Sequence, residues 1–523
     1  MGLCFFPLHI NPVKRFGNFK PVNPFKKLAG QTAIYGLSSM VGRAVNFLLV
    51  PFYTAQQVLS TEEFGIMSEF YAYVAFFNII YQFGMETTYF RYANKGDEPK
   101  TFNNVVSFLL VISLLLSGGL FAFATPIINY LGYSGKENYI YFLAAVLFID
   151  SVVAVPFARL RFENQAVKFA SVRLGNIFLN IFFNVLFLVV FKQIYLGNWF
   201  SGLSASIHFI YNPTFGVGYV FLANLLANVF FIPMLISSFK GFRFSFDGSY
   251  MKELILYAYP IIFMGIAQMI NEVIDRRMLL SLLPEGIHGN YSKLESVGIY
   301  SACYKFSMFM SLATQSFRYA AEPFFFSKAD KKDAPETYAL VLKWFIVATS
   351  VIYVAVSVYR FLIADIILRS EVYHTGLVIV PFLLLANLFL GVYYNQSIWY
   401  KVTDKTYWGT VITIIGAVIT LVLNFILIPI YGYVGSAIAT LVCYAFISIL
   451  SYIIGHKYYP VPYKIGSALF YLSLSTILVG VSMFLYSENT LISFAEASGL
   501  FITYLVIIYL VEKKNLTNKK RDF

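Results

Sequence analysis

Apolar stretches of bilayer-crossing length recur along this chain, with only short polar breaks between them. About 20 residues at about 1.5 Å of rise each cross the hydrocarbon core. A backbone placed there must satisfy its own hydrogen bonds, so each stretch reads as a helix. The expected spans lie near 28–54, 64–92, 104–131, 139–159, 169–191, 216–239, 253–283, 297–326, 339–363, 375–399, 409–430, 433–455, 466–486 and 491–511. The fold class is therefore an all-α integral membrane protein of about 14 transmembrane helices: two pseudo-symmetric six-helix lobes and two C-terminal helices. Composition agrees. Hydrophobic residues make up 59% and charged residues 12% of the chain, whereas soluble domains sit near about 45–50% and about 25%.

The spans divide the chain into a cytoplasmic tail (1–25), an N-lobe of helices 1–6 (26–239), a cytoplasmic linker (240–252), a C-lobe of helices 7–12 (253–455), helices 13–14 (456–511) and a basic cytoplasmic tail (512–523). The net charge of +12 invites a nucleic-acid partner, but its distribution argues otherwise. With the N-terminus inside, 27 of the 38 Lys and Arg residues fall on the cytoplasmic side and seven on the other. That is the positive-inside pattern, with both termini cytoplasmic. No cleavable signal is expected at the N-terminus.

An echo runs through the spans. Phe64–Lys95 and Val297–Lys328 align without gaps and share seven identities, among them Gly65/Gly298, Ser68/Ser301 and Tyr71/Tyr304. Two halves built alike, with polar helices at matching places, are how many secondary transporters frame a central site.

Charges inside spans gather in helices 1, 2, 7 and 8. Helix 1 carries Arg43; helix 2 carries Glu69, Glu86 and Arg91; helix 7 carries Glu272, Asp275, Arg276 and Arg277; helix 8 carries Lys305, Arg318 and Glu322. A charge at mid-membrane costs about 2.5–3.5 kcal/mol on insertion scales and normally faces a bundle interior or water. Cavity lining and structural ion pairing both fit Arg43, Lys305 and the Glu272, Asp275, Arg276 face. Arg318 and Glu322, one turn apart, fit a mutual pair at an inner gate as well as a ligand contact. Arg91 and Arg277 read as interfacial anchors and Asp150 as a helix-packing polar residue.

Chemistry of other kinds finds no footing. Cys4, Cys303 and Cys443 have neither disulfide nor metal spacing. The five His residues have no metal spacing, and no P-loop is present. The largest outward segment, 192–215, is too short for a catalytic domain. The expectation is a non-enzyme without metal or cofactor.

Six local patterns then converge: LSTEEFG (Leu59–Gly65), YAYP (Tyr257–Pro260), Ile274-Asp275-Arg276, VGIYSACYK (Val297–Lys305), Glu322-Pro323-Phe324 and NFILIPIYGYVGSAIAT (Asn424–Thr440). Across about residues 26–515 the chain resembles the polysaccharide transport family. These are O-antigen and capsule flippases of the multidrug/oligosaccharidyl-lipid/polysaccharide exporter superfamily. The resemblance implies a bacterial inner-membrane, multi-pass flippase. It would carry an undecaprenyl-diphosphate-linked oligosaccharide outward by alternating access, for lipopolysaccharide or other surface polysaccharide. Partners would be that lipid, the bilayer, and polysaccharide polymerase and glycosyltransferases, with no nucleic acid. Arg43, Arg276, Lys305 and Arg318 then become the substrate-binding candidates, and Glu86, Glu272, Asp275 and Glu322 the ion-coupling or gating ones. A drug or cation antiporter of the same superfamily and a membrane polymerase or ligase are the alternatives.

Overall fold

The computed structural model describes residues 40–521, apart from positions 43, 46, 329, 330, 404 and 486–489, and only the backbone at 205, 319, 320, 322, 323, 326–328, 490 and 515–521. In chain order the main helices are α1 (Leu49–Tyr53), α2 (Thr61–Gln82), α3 (Met85–Ala93), α4 (Glu98–Ala122), α5 (Glu137–Phe162), α6 (Ala166–Val185), α7 (Gly218–Val229), α8 (Gly248–Leu282), α9 (Lys293–Tyr304), α10 (Ser307–Lys328), α11 (Ala334–Val358), α12 (Val380–Gln396), α13 (Tyr407–Tyr458), α14 (Ile465–Phe484) and α15 (Thr490–Arg521). Among the described residues eleven helical segments are long and apolar enough to cross a membrane. One of them, α13, is 52 residues long and contains a non-helical Gly432, so it supplies two spans. The first and eighth expected spans correspond to the helical residues ending in α1 and to the interrupted pair α9–α10. The fold is all-helical and multi-pass.

Two compact units divide the chain. The first gathers Tyr73–Ile266 and the described residues up to Val45; the second gathers Asn46–Ala72 and Ala267–Phe523. In the first unit Tyr89, Phe102, Val105, Val155, Met251 and Leu254 form a buried core of α3, α4, α5 and the start of α8. Asp247 starts α8 by accepting from the Tyr250 amide (3.1 Å) and pairs with Lys100 (2.9 Å). That carboxylate sits well below the usual Asp range because Lys100, Ser249 and the Tyr250 amide all stabilise its charge.

In the second unit Trp399, Ile412, Cys443 and Tyr444 anchor the core where α12 meets α13. Helices α14 and α15 are tied to α11 by polar contacts that an apolar interface needs for registry. Lys343 and Glu512, both buried, lie 2.5 Å apart, and the Tyr471 hydroxyl donates to the same carboxylate. The Tyr504 hydroxyl donates to Ser350 (2.7 Å). The buried Arg360, just past α11, donates to the Ser482 carbonyl (3.3 Å) at the end of α14.

Two spans expected to be continuous are broken, and two expected to be separate run together. The span near 64–92 is two helices, because Phe83 (φ 51°) and Gly84 (φ 66°) are left-handed. Gly84 permits this: a Cβ there would lie 3.2 Å from the Ala258 carbonyl oxygen of α8. The span near 297–326 is interrupted at Lys305–Phe306, where hydrogen bonds tighten to three-residue spacing and the Ser307 hydroxyl takes the Tyr304 carbonyl (2.7 Å). The spans near 409–430 and 433–455 meet at Gly432 (φ 58°, ψ −137°) with almost no loop.

Candidate functional site

Capping boxes launch both α2 and α9. The Ser60 amide donates to Glu63 (2.9 Å) while the Glu63 amide donates to the Ser60 hydroxyl (3.1 Å). Ser292 and Glu295 repeat this at 2.8 and 3.1 Å. The repeat seen in the sequence thus extends to how the two helices begin. Each then carries its charges into the second unit.

The Glu272–Arg276 turn of α8 packs against α9. Arg276 is held within its own helix: its guanidinium donates to Asp275 (2.7 Å) and to the Glu272 carbonyl (2.6 Å). The Tyr304 ring lies 4.5 Å beneath it. Asp275, 4% exposed, also accepts from the Tyr300 hydroxyl (2.5 Å). Arg276, Asp275, Tyr300 and Tyr304 are therefore one ordered cluster, with the cation's plane fixed by the ring and the carboxylate. The Glu272 side chain is exposed. Lys305, one residue past Tyr304, sits at the helix interruption and is exposed. An ammonium group at that depth requires water or an anion.

The remaining candidates separate. Arg43 lies outside the described residues, and for Glu322 only its place in α10 is described. Arg318 lies on α10 with its guanidinium 4.4 Å over the Tyr394 ring. Glu86, on α3 in the first unit, pairs with Arg161 of α5. The structure therefore brings Arg276, Asp275, Glu272 and Lys305 onto neighbouring turns and places Glu86 in another unit.

One expectation changes, and Asp150 has the helix-packing role expected of it. Arg277 is no plain interfacial anchor: it reaches Glu69 of α2 at 3.3 Å, and that carboxylate is 1% exposed. A buried carboxylate needs a cation, and Glu69 inside an apolar span was the signal. Asp150 accepts from Asn228 (2.9 Å), which in turn accepts from Asn176 (3.0 Å), so three helices share one polar chain. Among the described residues no group of three His, Cys, Asp or Glu is placed to hold a metal.

The Asn424–Thr440 pattern acquires a physical reason. A Cβ at Gly432 would lie 1.9 Å from His288 Nε2, and one at Gly435 would lie 2.3 Å from the Leu427 carbonyl oxygen. His288 Nε2 accepts from the Tyr433 amide (3.0 Å) and its ring stacks on Tyr433 at 3.7 Å. Asn424 accepts from Ser436 (2.7 Å) across the turn.

Residues 57–200 match the family described as "Polysaccharide biosynthesis protein". The fold is similar to those of solved lipid-flippase and multidrug-transporter structures. A structure of the lipid II flippase MurJ, in an inward closed conformation, superposes with a TM-score of 0.68 at 16% identity, covering 91% of this chain and 98% of that one. An inward-facing multidrug resistance MATE family transporter of the MOP superfamily gives 0.60 at 14% identity, covering 82% and 94%. Its outward-facing counterpart gives 0.54 at 14% identity, covering 84% and 98%. Among curated proteins none matches the chain.

Proposed function

We propose that this chain is a flippase for an undecaprenyl-diphosphate-linked oligosaccharide, moving it from the cytoplasmic to the outer leaflet of the bacterial inner membrane. The observation that carries this reading is the polysaccharide-biosynthesis match at residues 57–200 within a chain folded like a lipid flippase. The chemistry supports it. A diphosphate-sugar head group cannot cross hydrocarbon unaided, whereas a polyprenyl tail stays in lipid. Lys305, exposed at a break in its helix, and Arg276, oriented by Tyr304, offer cations where a diphosphate needs them. Arg43 and Arg318 complete the proposed set. Glu272 and Asp275, with Glu86 and Glu322, are the carboxylates we assign to ion coupling or gating. The membrane potential, about 2.3 kcal/mol per charge per 100 mV, is the proposed driving term. Residues 26–239 and 253–455 are taken as the alternating lobes, with both termini cytoplasmic.

The test is a deletion strain. Lipid-linked oligosaccharide should accumulate on the cytoplasmic face, and complementation by the wild-type chain should restore its outward exposure. Arg43→Ala should fail to complement at normal protein levels and Arg43→Lys should complement in part, since charge survives but the bidentate fork does not. Normal outward exposure of single repeat units without polymer would instead establish a polymerase. Labelling of a single cysteine in the Lys332 loop by an impermeant thiol reagent in intact cells would overturn the orientation.

A further inference from the structure

The outward segment between α6 and α7, residues 192–215, has the composition of a membrane interface and not of an aqueous loop. It joins two helical segments long and apolar enough to cross a membrane, Ala166–Tyr195 and Gly218–Phe239. Lys192 is its one Lys or Arg, and it holds no Asp or Glu. Soluble chains carry about 25% charged residues. Other outward turns follow that habit: Lys136 and Glu137 stand at the turn between α4 and α5, and Glu285 and Lys293 at the turn between α8 and α9.

In place of charge the segment presents large apolar side chains. Leu196, Trp199, Phe200, Leu203, Phe209 and Ile210 are all exposed, Phe209 at 93% and Phe200 at 71%. This is not the exposure of a slack loop. Short helical turns run through it at Ser201–Leu203, Ser204–Ile207 and Pro213–Phe215. Ile194, Ile207 and Tyr211 are buried. The Tyr211 ring stacks on Tyr219 of α7 at 5.0 Å, and the Asn212 amide donates to the Tyr219 hydroxyl (2.7 Å). The Lys136 ammonium donates to the Thr214 carbonyl (2.7 Å). Phe200 takes a left-handed backbone (φ 46°), which costs a non-glycine residue and persists where the surroundings make use of it.

What covers these side chains follows from what lies beside them. Phe178, Phe182 and Val185 of α6 are exposed along the span that leads into the segment, and at membrane depth such side chains face hydrocarbon. Leu196 follows that span directly, so the segment begins at the membrane surface. Trp and Phe at that level, interleaved with Ser and Asn, suit the headgroup boundary, into which an apolar face sinks about 5–10 Å. A protein partner would find one charge to recognise, Lys192, whereas a lipid interface needs none. We propose that residues 196–210 lie in the headgroup region of the outer leaflet as an interfacial anchor, holding the outward ends of α6 and α7 at the lipid surface. The charge bias sets the side of the membrane. The anchor does not depend on what the chain carries, so it stands apart from the flippase reading.

Spin-label accessibility in nanodiscs that hold one copy of the full chain tests this. The labels go on Phe209→Cys and Leu203→Cys, both exposed positions, with Ser134→Cys, exposed in the turn between α4 and α5, as the aqueous reference. Cys4→Ser removes one native thiol, and the buried Cys303 and Cys443 stay unlabelled. The probes are molecular oxygen, which concentrates in lipid, and nickel(II) ethylenediaminediacetate, which stays in water. At both anchor positions the ratio of oxygen to nickel collisions should exceed that at Ser134→Cys severalfold, and a raised ratio is required at both. A ratio equal to that of Ser134→Cys puts the segment in water and overturns the proposal. Few collisions with either probe mean that protein covers it, which overturns the proposal as well. Since the readout is position in the bilayer and not transport, a failure here leaves the deletion-strain result standing.

Discussion

Gly65 and Gly298, equivalent positions of the internal repeat, meet face to face in the second unit. A Cβ on Gly65 would lie 2.1 Å from the Leu294 carbonyl oxygen and 3.2 Å from the Gly298 amide. One on Gly298 would lie 2.3 Å from the Thr61 carbonyl oxygen and 3.2 Å from the Gly65 amide. Such reciprocal approach is what small residues allow between membrane helices, where van der Waals packing and backbone proximity drive association. It also explains why the repeat keeps glycine at both places. The crossing needs two backbones in contact, and neither side has a flexible side chain that can give way.

Either Gly65→Ala or Gly298→Ala should therefore force α2 and α9 apart. Overpacking of this kind costs about 1–3 kcal/mol, and the obstacle here is backbone, which places the cost at the upper end. Because both methyl groups would wedge the same crossing, the double variant should cost less than the sum of the singles. Thermal unfolding of the purified protein in detergent measures this; strictly additive losses would show that the two positions act separately.

Lys305 carries the expectation for transport. Lys305→Ala should abolish surface-polysaccharide complementation at wild-type protein levels, with little loss of stability, since the side chain is exposed. Lys305→Arg should retain part of the activity. Complementation by the alanine variant at full strength would remove Lys305 from the substrate path.

The Glu69–Arg277 pair should respond asymmetrically. Glu69 is 1% exposed while Arg277 is 32% exposed. Arg277→Ala takes the cation from a carboxylate that cannot reach water, a change worth about 3 kcal/mol or more in buried pairs. Glu69→Gln leaves a cation that reaches solvent, and should cost less. Adding Glu69→Gln to Arg277→Ala should then recover stability, which chemical or thermal unfolding of the three variants reads directly.

What the sequence made legible follows from range. Spans, their number and the repeat are local or periodic features, so Gly65 and Gly298 could be paired in sequence before their contact was seen. The α2 and α9 caps are equally local. The interruption at Lys305 was not legible: Val297–Lys328 has neither Gly nor Pro at that point, and the tightened turn rests on Ser307 and on packing. Arg277 was misread for the same reason, since its partner is 208 positions away. The Asn424–Thr440 run announced close helix packing. The turn it makes depends on His288, 145 residues earlier, which the sequence showed only as a histidine without metal spacing.

That histidine leads to a pH dependence. His288 lies in the segment between α8 and α9, and burial pushes its pKa below the ordinary value of 6.5. Its Nε2 accepts from the Tyr433 amide, so the folded state holds the ring neutral. A group whose folded pKa is depressed adds stability at pH above its unfolded value. That contribution is lost as pH falls, because the unfolded chain then binds the proton more readily. Glu285 and Lys293 line the same pocket as His288, and Tyr433 packs on its ring from α13. Protonation would set a cation against the Tyr433 backbone donor, next to Gly432, where an added Cβ would already meet the His288 ring. The unfolding temperature should therefore drop between about pH 7.5 and about pH 5, the range in which an ordinary histidine titrates. In His288→Gln, whose side chain cannot titrate, the part of that drop due to this group should vanish, at the cost of lower stability near neutral pH. Identical pH profiles for wild type and His288→Gln would show that the Tyr433 contact contributes nothing to holding the two halves of α13 together.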